Sequence, residues 1–477
     1  MNKAQLGARL LLSGVAALAC QAAGAETLAD AMAKAVTNHP AMASSRAALR
    51  QADEGVVQER AAGLGTISGS LELGASTAGG VNQGRGMALS NRLNGASAEL
   101  GLIGRLPIYS GGQVRYGIAG AEQGVDAARA SLGETEQAIL LDAVTAYEDV
   151  RRDISSVQLA RNNVRVINEQ VRAARDRFEV GEVTRTDVSQ AEARLAAARS
   201  NLANAVGALA ASRQAYLAVV GELPDGLTNP PPIPPLPETL DAAIALALAE
   251  HPVMIRTRAQ ARAAEYAVKS AVGAGLPSVE LEGRVRYSNS GLLGGGSTAG
   301  ESNSASVTLT TTVPLWTGGA VASGVREAQA ALAASTANIH AAARSIRQQT
   351  ALSWAQLDVA RASIRAANQQ IRAAQIAFDG VREEATLGAR TTLDVLDAEA
   401  ELLSARVDLV RSRRDEYVAA YTLLSAIGKL TVRHLGLNVP GFDPESYMAG
   451  VDENPYEWAQ DASAEPEGEW SLFDMRP

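Results

Sequence analysis

Apolar positions follow a helical period along most of the chain, but in four short stretches they alternate instead. In Val279 to Tyr287 one face carries Val279, Leu281, Gly283, Val285 and Tyr287, and the other carries Glu280, Glu282, Arg284 and Arg286. The stretch after it sets Val307, Leu309, Thr311 and Val313 against Ser306, Thr308, Thr310 and Thr312. Earlier, Ile67, Leu71 and Leu73 alternate with Ser68, Ser70 and Glu72, and Ala98, Leu100, Leu102 and Leu106 oppose Glu99 and Arg105. A period of two predicts strands, and lengths of about 9–11 residues match strands that cross a membrane. Each pair is joined by a polar Gly/Ser-rich loop, 75–95 and 288–303. Helices are predicted before each pair, over 41–62 and 253–272. After each pair, 112–180 and 319–387 run without a proline, enough for roughly 100 Å of helix each at 1.5 Å per residue. The helices that return show a heptad: Leu195, Leu202, Leu209, Tyr216, and Leu403, Val410, Tyr417, Leu424.

The whole pattern occurs twice. Leu28, Ala31, Ala35, His39 and Pro40 recur as Leu240, Ala243, Ala247, His251 and Pro252. Leu106-Pro107-Ile108-Tyr109-Ser110-Gly111-Gly112 recurs as Val313-Pro314-Leu315-Trp316-Thr317-Gly318-Gly319. Gly181, Thr184, Asp187, Val188, Ala191 and Leu195 recur as Gly388, Thr391, Asp394, Val395, Ala398 and Leu402. Three aligned blocks in one order establish an internal duplication. The predicted organisation is a first repeat over 26–222, a Pro-rich linker over 223–237, a second repeat over 238–430 and an extension over 431–477.

The third block is a helical hairpin tip. Gly181 and Gly388 end one helix in the left-handed conformation, and Thr184 with Asp187, or Thr391 with Asp394, opens the next as a capping box. The second tip adds Asp397, one turn beyond Asp394 on the same helix face. Capping accounts for Asp187 and Asp394 but leaves Asp397 without a structural role.

Composition narrows the class. Aromatics are 4%, which suits thin, Ala-rich packed helices. A net charge of −9 and the lack of a basic patch with aromatics give no reason to expect nucleic acid. Lys3 and Arg9, the apolar run from Leu10 to Ala19 and Ala23-Gly24-Ala25 read as a signal peptide over 1–25. The single cysteine, Cys20, lies inside it, and Ala17 stands where a lipoprotein signal favours leucine. His39, His251, His340 and His434 are scattered, so no metal site is expected. No catalytic constellation or phosphate-binding loop is recognisable, and no cofactor is expected. The extension from Pro440 carries ten acidic residues and one basic, Arg476, and reads as disordered or loosely docked. A soluble amphipathic hairpin is one reading of a single strand pair. Two pairs with charged inner faces favour a water-filled lumen. Four strands are too few to close a barrel and open edges are forbidden in lipid, so several chains would share one barrel.

These blocks together resemble the TolC family of outer-membrane efflux and secretion channels. The resemblance rests on the two tips, Gly181 to Ala191 and Gly388 to Ala398, the Pro-x-aromatic-Ser/Thr-Gly-Gly segments, the His-Pro helix starts and the duplication. His434-Leu435-Gly436-Leu437 with Pro440 and Asp443-Pro444-Glu445 resembles the type I protein-secretion branch. The resemblance implies a mainly α fold with a small membrane β part. In a homotrimer each protomer would add four strands to a twelve-stranded barrel and long helices to a periplasmic α-barrel. It implies an outer-membrane exit duct rather than an enzyme, with a periplasmic adaptor and an inner-membrane transporter as partners. Carried onto this chain, the pore-entrance carboxylates fall on Asp394 and Asp397, and Thr186, Asp187 and Arg390 match polar residues that tie neighbouring helices shut. Gly181, Thr184, Gly388 and Thr391 build the adaptor-docking tips. The family's entrance tyrosine is Ala385 here, with Glu383 and Glu384 beside it. The competing reading is a soluble periplasmic coiled-coil adaptor, which would lack the strands.

Overall fold

The computed structural model describes residues 26–77, 93–290, 300–439, 445, 447 and 448. Residues 1–25 with Cys20, expected from the sequence to be a signal peptide, the centres of both Gly/Ser-rich loops and most of the acidic extension lie outside them.

Alternation does produce strands. β1 (Thr66–Thr77), β2 (Leu93–Ser110), β3 (Ser278–Ser290) and β4 (Gly300–Thr312) form one antiparallel sheet in the order β1-β2-β3-β4. Residues directly opposite share a face, so the register sorts the side chains. Leu71, Leu100 and Tyr287 line up on one face, as do Leu102 with Val285 and Leu106 with Leu281 and Leu309. This face is exposed: Ile67 is 80% accessible and Val307 78%. The other face carries ion pairs, Arg286 to Glu99 at 2.9 Å, Arg105 to Glu282 at 3.1 Å and Arg284 to Glu282 at 2.9 Å. Ile103, opposite Ser68 and Arg284, is the apolar exception there.

β2 runs to 18 residues, longer than its alternating part. It continues past Pro107 because the register shifts between Pro107 and Tyr109, and a bulge tolerates the missing proline N–H. The same motif in the second repeat lies beyond the end of β4. Gly111 then turns the chain with φ +63°, and a Cβ there would stand 2.2 Å from the Gly273 carbonyl oxygen. Only glycine satisfies both conditions.

The helices are α1 (Leu28–Asn38), α2 (Pro40–Ala61), α3 (Gln113–Glu179), α4 (Arg185–Val220), α5 (Leu240–Glu250), α6 (Pro252–Gly273), α7 (Ala320–Thr386), α8 (Thr392–Ala426) and α9 (Val432–Leu435). α3 and α7 are each 67 residues long. The histidines have structural work: Nδ1 of His39 and of His251 accepts the backbone N–H two residues on, at 3.2 Å, just past the Pro that opens the helix. Burial depresses the His251 pKa, which keeps the ring neutral and able to accept. Among the described residues no helix is long and apolar enough to cross a membrane.

The chain forms two compact units that cut across the repeats. One takes residues up to 42, 136–244 and 349–440; the other takes 43–135, 245–348 and those after 440. The first holds both hairpin tips. Its core is built on Tyr147, Tyr216, Tyr421, Leu140, Leu423 and Leu424, all under 2% exposed. Tyr147 also anchors the linker, donating its hydroxyl to the Thr228 carbonyl at 2.9 Å. The second unit holds the sheet, α2 and α6.

Candidate functional site: the hairpin tips

The two tips are built alike. At the end of α3, Gly181 has φ +80°, with Gly181 N–H donating to the Phe178 carbonyl and Glu182 N–H to Arg177 at 2.9 Å. At the end of α7, Gly388 has φ +77°, with the matching bonds to Ala385 and Glu384. These paired bonds, from C″ to C3 and from C′ to C2, are a Schellman motif in each case. Nothing lies within 4 Å of a Cβ at either glycine, so backbone conformation alone selects the residue.

The next helices open through capping boxes. Asp187 Oδ2 accepts from Thr184 N–H at 2.9 Å and its hydroxyl at 2.8 Å, while Thr184 Oγ1 accepts from Asp187 N–H at 3.3 Å. Asp394 and Thr391 repeat this at 2.9, 2.9 and 3.2 Å. The backbone and hydroxyl bonds from the threonine hold both carboxyls below their usual range. Both side chains are therefore ionised at neutral pH.

Within one chain the remaining charges pair locally or between the two hairpins. Arg390 does not reach a neighbouring helix; its Nε donates to Glu384 at 2.8 Å, across its own turn. Asp187 is likewise folded onto its own Thr184, and Thr186 is exposed. Arg390 thus occupies Glu384, one of the two glutamates beside Ala385. Within one chain the two hairpins are tied by Arg194 on α4 to Asp397 on α8, at 2.6 Å. Asp397 remains 55% exposed. One signal could have exposed this pair. At the repeat offset Arg194 corresponds to Glu401 and Asp397 to Gln190, so the duplication breaks at both partners.

Beneath this pair the hairpins share an apolar seam. Ile167, Val171 and Ala174 of α3 pack with Ala191, Leu195 and Ala198 of α4 and with Leu396 of α8. One turn along, Glu399 is 8% exposed and its Oε2 has no hydrogen-bond partner. It lines a cavity of about 150 Å³ with Leu159, Asn162, Phe378, Leu402 and Arg406. Burial pushes its pKa up to about 7, with Arg406 opposing and Glu169 reinforcing the shift. An acid whose pKa rises on folding destabilises the fold progressively as pH climbs from its unfolded value through 7. Glu399→Gln is therefore expected to stabilise the helical part by about 2 kcal/mol at pH 8 and by little at pH 5. Thermal melts followed by circular dichroism at both pH values check this; equal shifts would contradict it.

Among the described residues no cluster of His, Cys, Asp and Glu is arranged to hold a metal.

Comparison with known proteins agrees with this architecture. The family profile described as outer membrane efflux protein matches residues 31–222 and 243–429, one segment in each repeat. The outer membrane efflux protein BepC of Brucella suis biovar 1 is 37% identical over 451 residues, 94% of this chain and 96% of that protein. The outer membrane protein TolC of Vibrio cholerae is 27% identical over 316 residues, 65% of this chain and 72% of that protein. The crystal structure of CusC superposes with a TM-score of 0.73 at 17% identity, covering 85% of this chain and 92% of that chain; at that identity it supports the fold alone. With both repeats matched in full order, the chain belongs to the outer membrane efflux protein family, the TolC-like channels of the outer membrane.

Proposed function

We propose that this chain assembles as a homotrimer and serves as the passive exit duct of a tripartite export system. In this reading it docks a periplasmic adaptor, and through it an inner-membrane transporter, by its hairpin tips. One observation carries the proposal: a four-stranded meander with both edges unpaired, β1 and β4, an apolar outer face and a charged opposite face. Unpaired strand edges are not tolerated in lipid, and three copies supply twelve strands, enough for an open lumen. A soluble coiled-coil adaptor has no use for such a sheet. The two segments of the family match support a division into repeats over 26–222 and 238–430, joined by the 223–237 linker and followed by the 431–477 extension.

The tips supply the entrance. Asp394 and Asp397 would form stacked carboxylate rings at the pore mouth, with Asp187, Thr186 and Arg390 bordering them. Gly181, Thr184, Gly388 and Thr391 shape the surface that an adaptor would grip. The kinship with BepC favours efflux as the use of the duct. The protein is expected to fractionate with the outer membrane and to migrate as a trimer before boiling. Recovery as a periplasmic monomer would remove this reading.

A further inference from the structure

A second charged feature lies far along the chain from the tips. In the unit that holds the sheet, α3 and α6 enclose a groove of about 570 Å³. Its floor is apolar (Ala130, Pro252, Ile255, Ala259) and its walls carry Arg129, Arg258 and Arg262 against a single acid, Asp126. Asp126 accepts from Gln123 at 3.1 Å and lies 3.9 Å from Arg129, whose charge is also felt by the buried Asp53, so the arginines without an acid beside them in the groove are Arg258 and Arg262. Arg258 donates to the Leu248 carbonyl at 3.0 Å, and among the described residues no carboxylate pairs with it. Arg129 Nε is buried without a hydrogen-bond acceptor.

The last described residues arrive beside this groove. Glu445 stands 3.8 Å from Arg129, which is itself a groove wall. Tyr447 donates its hydroxyl to Glu54 at 2.6 Å, and Arg50 lies over its ring at 5.7 Å. Beyond Met448 the chain has eight more acidic residues and only Arg476 as a base, with Tyr456, Trp458, Trp470 and Phe473 among them. Aromatic side chains suit an apolar floor flanked by guanidinium groups, and carboxylates suit the arginines.

We propose that the acidic C-terminal segment, residues 449–477, docks in this groove against Arg258 and Arg262. The anchored Glu445 and Tyr447 make that docking intramolecular, which raises its effective concentration. Carboxylates of the segment neutralise the arginines, and its aromatic residues cover Ile255. The segment is thus a strap on the helical part rather than a free tail.

The test uses the assembled protein in detergent with Cys20→Ser, which leaves no other cysteine, and with Ile255→Cys as a reporter. Ile255 is 45% exposed and not a core residue. Maleimide labelling of Ile255→Cys is expected to be slow in the full chain. It should accelerate about tenfold when the chain ends at Met448, equivalent to about 1.4 kcal/mol of docking free energy. Arg258→Glu with Arg262→Glu in the full chain should accelerate it likewise, as should about 1 M salt, where screening falls to about 3 Å. Trimer mobility before boiling confirms that each variant is folded. Fast labelling of both chain lengths means an open groove and overturns the proposal. Slow labelling of both means a second copy covers the groove, and overturns it equally.

Discussion

Val285→Arg is expected to abolish assembly in the outer membrane, whereas Arg286→Val, its neighbour in sequence, is expected to permit it. Val285 is near the middle of β3, opposite Leu102 on β2 and Ala305 on β4, on the exposed apolar face. An arginine facing lipid near the midplane costs about 2–4 kcal/mol, and a barrel shared among copies meets that cost once per protomer. Arg286 points the other way and pairs with Glu99 at 2.9 Å, both partners partly solvated. Losing such a pair costs about 0.2–1 kcal/mol. The unboiled trimer band in outer-membrane fractions measures both variants. Equal loss from the two would mean that the faces have been assigned wrongly.

The second large effect is expected at the tips. Two rings of carboxylates bind a trivalent cation far better than a monovalent one, because attraction scales with ion charge. The channel in a planar bilayer should be cation-selective and blocked by trivalent cations from the tip side. Asp394→Ala with Asp397→Ala should abolish the block without closing the pore. The ion pair adds an asymmetry: Asp397→Ala alone leaves Arg194 unopposed beside the ring. It should therefore weaken the block more than Asp394→Ala alone. The pH dependence follows from the caps. Asp394 is held below 3.8 by its bonds to Thr391, so its charge and its capping stabilisation are complete above that value. Both are lost as pH falls through the lowered pKa. The Asp394 contribution to the block is expected to hold from pH 7 to pH 5 and to fade as pH falls through that lowered pKa. Wild-type block in the double variant would reduce these carboxylates to helix-end residues.

Much of this molecule is legible in its residues because its signals are local. Proline-free runs placed α3 and α7 to within a residue at each end, since glycines and capping threonines punctuate them. Alternation located all four strands, and the exact repetition of Gly-x-x-Thr-x-x-Asp fixed both tips. What escaped depends on partners distant in sequence. Arg194 and Asp397 lie 203 residues apart, and nothing around either one names the other. Glu399 reads as an ordinary solvated acid on a helix, and only packing of α8 against α3 and α7 buries it. β2 outran its pattern because a bulge carried pairing past Pro107. α1 and α5 appeared in the sequence only as a repeated block, Leu28 to Pro40 and Leu240 to Pro252; the His-Pro pairs marked where α2 and α6 begin, but not that a separate helix precedes each.

The two unpaired edges of the sheet carry a consequence for timing. A strand edge whose N–H and C=O groups await another copy cannot complete its hydrogen bonding by any rearrangement within one chain. Insertion must then wait on encounter, so its rate should rise more steeply than linearly with the supply of protomers. Until encounter, β1 and β4 present rows of unpaired amides beside an apolar face, the combination that templates non-native pairing. Slow synthesis would prolong that exposure. The stability of the finished barrel has no single-chain value to compare with it, because folding of the sheet and association are one event.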